Sequence, residues 1–307
     1  DPARGAQRIR QLVRRLGRGL APVGLFVQLP ADRPQAGNVR DGFDLIGTAL
    51  LALTLATYAL AVTLGRGHFA ALNLALLLGA TVGLGLFVFA QTRVASPLIR
   101  LTLFRNPVLS GGLAMGTLVA TVIMTTLVIG PFYLAHGLGL NPMVTGMGVA
   151  VGPCVAAITG LPAGRVADRF GAQRMTTVGL VAMALGCLTL SLLPQTVGIA
   201  GYVLPMVVLT LGYAVFQTAN NTTIMSDVAA DQRGVVAGMI SLSRNLGLIT
   251  GASAMGAVFA FASQTAEVAN ASPQAIGHGM RVTYGVAFVL ILLALALSCR
   301  SELARDS

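Results

Sequence analysis

The sequence predicts an all-α polytopic membrane protein, and three observations carry that reading. Hydrophobic residues make up 55% of the chain and charged ones 10%, against about 25% charge in ordinary soluble domains. The apolar residues fall in runs of roughly 18 or more, the length a helix needs to cross the hydrocarbon while satisfying its own backbone. These runs lack the polar–apolar alternation of a membrane β-barrel. Finally, the positive charge sits at the ends of the runs, as topology signals do. A net charge of +10 distributed in this way argues against nucleic-acid binding.

The chain opens on a basic segment with Arg4, Arg8, Arg10, Arg14, Arg15 and Arg18. The apolar run that follows is too short for a signal peptide and lacks a cleavage-like end. Residues 1–42 therefore read as a cytoplasmic basic arm and polar linker, with 20–30 left as part of the arm or the end of a truncated span.

Eight spans follow, at about 43–65, 69–91, 107–130, 143–163, 175–194, 199–219, 235–262 and 281–299. An even number places both termini on one side. With that side cytoplasmic, the inner segments hold Arg93, Arg100, Arg105, Arg165, Arg169, Arg174, Arg233, Arg300 and Arg305, and the outer loops only Arg66 and Arg281. The asymmetry is the one expected of an inner-membrane protein. The first two spans (43–91) form a pair, 92–106 is a cytoplasmic connector, 107–299 is a six-helix domain, and 300–307 is a cytoplasmic tail.

Within the spans, Gly130-Pro131 is expected to end or kink the third, because proline lacks the backbone donor. Pro153, Pro162 and Pro205 are expected to interrupt the fourth and sixth, and the seventh to begin as an interfacial helix near Gly234 or to tilt. Gly148/Gly152, Gly160/Gly164, Gly234/Gly238 and Gly247/Gly251 have the spacing that lets membrane helices approach closely. Cys154, Cys187 and Cys299 occur singly, without metal-ligand spacing or a disulfide framework.

The most concentrated charge in the domain is GRVADRFGAQR, Gly164 to Arg174, a hinge of charged residues between two apolar spans. Gly171 suits a tight turn. Asp168, read as lying just before the fifth span, would meet the positive end of that helix dipole. The second candidate is Arg244, about ten residues into the seventh span, or ~15 Å of helix rise. A charge at that depth normally faces a bundle interior or wet cavity, unless it snorkels to the interface. Gln217, Asn220 and Asn221 at the inner end of the sixth span are candidate partners or a substrate path. Tyr213, one turn deeper, is either an aromatic wall of that path or core.

Gly164, Asp168, Arg169 and Gly171 fit G-x-x-x-D-R-x-G. The motif lies between the second and third spans of a six-span unit and resembles the loop motif of the major facilitator superfamily. GPFYLAHGLGLNPMVTGMGVAVGP before the hinge, and QTANNTTIM and RGVVAGMISLSRNLGLITGASAMGAV after it, resemble the C-terminal half of the fourteen-span drug:proton antiporters. FDLIG at 43–47 opens the extra pair that distinguishes them. Ala172 and Gln173 depart from the motif, which usually continues with two basic residues; Arg174 follows.

The resemblance implies a multidrug-efflux transporter driven by the proton gradient, with no bound cofactor and a small organic substrate. It also implies an N-terminal six-helix half as partner, which this sequence lacks. In that frame the hinge acts as a conformational latch, pairing charge in one access state and releasing it in the other. A permease for another solute, or a non-transporting remnant, are the alternatives. An intramembrane enzyme is disfavoured, because His68, His136 and His278 are placed in outer loops, away from any nucleophile or metal set.

Overall fold

The computed structural model describes residues 44–64, 71–94, 99, 101–226, 228–264 and 271–306. The arm and linker, together with Arg66, His68 and Arg100, lie outside them. Among the described residues, eight helices are long and apolar enough to cross a membrane: α1 (Leu45–Thr63), α2 (Ala71–Arg93), α3 (Pro107–Phe132), α4 (Pro142–Phe170), α5 (Ala172–Leu192), α6 (Gly198–Ser226), α7 (Arg233–Ala262) and α8 (Pro273–Asp306). The protein is an integral membrane protein of all-α class.

Several helices outrun their apolar stretches. α4 continues to Phe170, α6 to Ser226 and α8 from Pro273 to Asp306, so His278 and Arg281 are helical rather than in a loop. The apolar run marks the hydrocarbon, whereas the helix continues into the headgroup layer wherever caps and good helix formers allow. Ser272 supplies such a cap at α8, its Oγ accepting from Ala275 N–H at 3.2 Å.

The prolines do not break their helices. Pro153 and Pro162 lie inside α4 and Pro205 inside α6, and α7 is continuous, without a separate interfacial segment. In membrane helices, neighbouring helices and local adjustments can satisfy the backbone groups that proline frees. α3 likewise runs past Pro131 to Phe132, then widens into a π turn, Tyr133–Gly137, where Leu138 N–H donates to Tyr133 O at 2.9 Å.

The core is built by α3, α5, α6, α7 and α8. Val119, Ile129, Leu180, Met183, Leu209, Phe216, Met255, Tyr284 and Ile291 interlock there. α5 packs along α6, α3 along α7, and α8 closes against α5, α3 and α7. α4 leans mainly on α6, and only 6% of its apolar window is buried, so most of its length faces outward.

The α1–α2 pair joins this domain through a smaller apolar cluster, in which Phe87 and Ile99 meet Leu109, Ile224, Val236 and Met239, and through a Tyr58–Thr250 hydroxyl contact. Its polar fastening is Asp44. One carboxylate oxygen accepts from Gly47 N–H at 2.7 Å and caps α1, and the other accepts from Gln91 Nε2 at 2.7 Å. Gln91 Oε1 in turn accepts from Ile99 N–H at 3.1 Å. Asp44→Ala is expected to remove a cap worth about 1 kcal/mol together with the Gln91 tie. Limited proteolysis after Arg93 and Arg105 should then proceed faster than in the parent chain.

Candidate functional site

At the hinge, the eleven-residue loop expected from the sequence contracts to one residue. α4 ends at Phe170, α5 starts at Ala172, and Gly171 serves both as C-cap and N-cap. Its φ of 90° is a backbone conformation that favours glycine. Its N–H donates to Ala167 O at 3.0 Å and its carbonyl accepts from Met175 N–H at 3.1 Å, so two helix ends are closed by a single residue. Gly164 and Asp168 are therefore helical. Asp168 occupies the last turn of α4, at the carbonyl end of that dipole and not in the first turn of α5. The charges had suggested a loop, but Arg and Ala are strong helix formers, and a helix end beyond the hydrocarbon carries charge without penalty.

Ala163 and Ala167 turn inward, each 2% exposed. Arg165, Asp168, Arg169 and Arg174 are exposed, and the Arg169 guanidinium lies 5.5 Å over the Phe170 ring. Their charges are presented outward on one end of the bundle.

The second group of candidates is brought together. Arg244, Gln217, Asn220 and Asn221 line one cleft between α3, α6 and α7, with Gly112, Leu113, Gly116 and Ser243 as its floor. The free space is about 10 Å³, close to that of a single water. Asn220 is 4% exposed and donates through Nδ2 to Gly112 O at 3.1 Å. Beside it, Ser243 Oγ donates to Leu113 O and meets Thr117 Oγ1 at 2.9 Å. Thr121 Oγ1 donates to Gly247 O at 3.1 Å. This polar seam draws α7 onto α3, and Arg244, the residue after Ser243, stands exposed at its margin. Tyr213 lies elsewhere, half-buried against the main core. Asn220→Ala is expected to cost about 1 kcal/mol, the usual size of an interhelical hydrogen bond in lipid, read as a lower melting temperature in detergent.

An opening not anticipated from the sequence lies between α3 and α4. It has a volume of 570 Å³ and is lined by Pro131, Phe132, His136, Leu140, Thr145 and Pro153, among others. Pro131, Pro142 and Pro153 all lie on its walls, and these prolines were the available signal.

Six helices with a glycine-capped second-to-third junction, preceded by a docked helix pair, are the geometry against which similarity to known proteins can be read. Residues 29–252 match the Major Facilitator Superfamily. The chain belongs to that superfamily. Among curated members it is 29% identical over 275 residues to the multidrug efflux pump LfrA of Mycolicibacterium smegmatis, covering 86% of this chain and 53% of LfrA. It is 26% identical over 258 residues to the quinolone resistance protein NorB of Staphylococcus aureus (strain MRSA252), covering 82% of this chain and 55% of NorB. The chain thus spans about half the length of these curated superfamily members. In fold it is similar to the nucleoside transporter NupG, with a TM-score of 0.53 and 18% identity over 81% of this chain and 65% of NupG.

Proposed function

We propose that this chain forms the C-terminal part of a transporter that exports drug-like organic compounds across the bacterial inner membrane in exchange for protons. The similarity to LfrA and NorB over more than four-fifths of the chain carries the reading. The 570 Å³ opening between α3 and α4 supports it, being of a size and apolar character suited to small organic molecules. The partner is a further six-helix half, seated on the outward-facing side of α4 and the margin of α3, α6 and α7. The arginine asymmetry supports cytoplasmic termini and, with them, a cytoplasmic Gly171 junction.

The test is accumulation of a fluorescent cationic dye in an efflux-deficient bacterial host expressing the complete transporter. Lower accumulation than in the empty host, abolished by a proton-gradient uncoupler, is expected. Equal accumulation with and without the transporter overturns the proposal.

In this transporter the exposed Asp168, Arg165, Arg169 and Arg174 act as the latch, closing against the partner half in one access state. Asp168→Asn is expected to lower efflux about tenfold, the scale of losing one charge-assisted contact. Unaltered efflux, with an unaltered inward-to-outward distribution by cysteine accessibility, would remove the latch from the account.

A further inference from the structure

α1 and α7 touch where the Tyr58 hydroxyl meets that of Thr250. About 10–12 Å back along both helices, toward the ends at which they begin, they do not close on each other. A cavity of 380 Å³ lies there, lined by Leu51, Ile99, Gly234, Gly238, Met239 and Leu242 among others, and no residue on its walls has a polar side chain. Gly234 and Gly238 are exposed and Leu51 and Leu242 half-buried, so the cavity opens outward between the helix pair and the six-helix domain.

The opening follows from where α7 places its glycines. Gly247 and Gly251 lie against the α3 backbone, whereas nothing is within 4 Å of a Cβ at Gly234 or Gly238. Gly238 is nine positions before Gly247, half a turn out of phase, so its face points away from the α3 seam. α1 stands over that face without filling it. Protein interiors are close-packed, and a buried water needs about three polar partners, which these walls do not offer. What remains is hydrocarbon, the medium met by the exposed Leu45, Leu53 and Leu60 of the same α1.

Charge decides the headgroup. Arg233, the residue before Gly234, and Arg105, which ends the short helix after Ile99, are both exposed. Asp231 is exposed close to Arg233 in sequence, which leaves a cationic excess at this mouth. Basic residues beside a membrane helix attract anionic headgroups. We propose that the cavity holds one acyl chain of an anionic phospholipid, whose phosphate lies beside Arg233. The lipid fills the wedge between α1 and α7 and takes part in seating the helix pair on the domain. The site is independent of which solute the transporter carries.

The full-length protein is purified in a neutral detergent with a trace of phosphatidylglycerol that carries a photoactivatable diazirine midway along one acyl chain. After irradiation the labelled residues are mapped by peptide mass spectrometry, and native mass spectrometry counts the lipids retained. Labelling concentrated on Leu51 and Leu242, with one phosphatidylglycerol retained, is expected. Gly238→Leu puts a side chain into the open space, so elution should stay parent-like while retention falls about tenfold. Arg233→Gln, outside the cavity, should weaken phosphatidylglycerol about fivefold and leave phosphatidylcholine unchanged. Gly85→Leu, at an exposed α2 position with nothing within 4 Å of a Cβ, should bind as the parent does. Labelling of Leu51 and Leu242 no stronger than that of the exposed Leu78 and Leu86 of α2, as when another protein segment covers the cavity, overturns the proposal. Phosphatidylglycerol retention unchanged by Gly238→Leu, or by Arg233→Gln, overturns it as well.

Discussion

Gly179→Val is expected to deprive the chain of a detergent-stable fold. A Cβ on Gly179 would lie 2.6 Å from Phe216 N and 2.7 Å from Gly212 O, and one on Gly212 would lie 2.7 Å from Gly179 O and 2.8 Å from Met183 N. These are backbone atoms of α5 and α6, so no side chain can rotate away; the helices themselves must separate. They carry Leu180, Met183, Leu209 and Phe216 into the core, and in lipid their association rests on packing. Overpacking costs about 1–3 kcal/mol where side chains can yield, and more where they cannot. That is a large share of a total stability of roughly 5–15 kcal/mol.

The control is Gly160→Ala, where nothing lies within 4 Å of the added carbon and helix propensity favours alanine by about 1 kcal/mol. Size-exclusion profiles after stepwise heating should show Gly179→Val aggregated at temperatures at which Gly160→Ala and the parent remain monodisperse. Parent-like melting of Gly179→Val would mean that the α5–α6 crossing is looser than described.

That contrast also shows what could be read from the sequence. The span count was legible because hydrocarbon imposes a length and a composition on every crossing. The glycine spacing located one tight crossing: a Cβ on Gly251 would lie 2.6 Å from Thr121 O of α3. Gly160, Gly234 and Gly238 have the same spacing, yet nothing lies within 4 Å of a Cβ at any of them. The α5–α6 crossing escaped the pattern because its glycines are not four apart: Gly179 and Gly186 of α5 stand seven apart against α6, and Gly212 meets Gly179 from the other helix. Asp44 and Gln91 are 47 positions apart and meet only through the packing of α1 on α2. Gly171 suits a turn on sequence grounds alone, whereas the charge of the residues before it hides their helical conformation. Helix ends follow capping and propensity, whereas the apolar pattern follows the bilayer. Gathering Arg244 with Gln217, Asn220 and Asn221 was legible as a need for partners, while the seam that seats it, Ser243 and Thr117 against Leu113 O, was not.

Arg244→Ala in the complete transporter is expected to lower efflux by about tenfold to a hundredfold, from the loss of the cation at the cleft, while leaving the melting temperature close to the parent's. Arg244 is the twelfth residue of the 30-residue α7, about 16 Å along its axis from the first, so its charge is held well inside the helix. A cation at such depth requires polar company. The amide side chains of Gln217, Asn220 and Asn221 line the same cleft and bring carbonyl oxygens that can accept from a guanidinium. The neighbours of Arg244 on α7 are already committed: Ser243 bonds to Leu113 O and Gly247 O accepts from Thr121. Helix rotation to carry the charge elsewhere would therefore break the α3–α7 seam.

The decisive comparison is Arg244→Lys. A planar fork that addresses several amide oxygens is not reproduced by an ammonium, so the lysine variant should transport nearly as poorly as the alanine one. An arginine that only snorkels to the interface is replaceable by lysine. Parent-like efflux from Arg244→Lys would assign Arg244 to the interface and leave the cleft as a packing seam. Weak efflux from both variants, with unchanged elution and melting, is the expected result, because an exposed residue at the margin of the seam contributes little to holding it together.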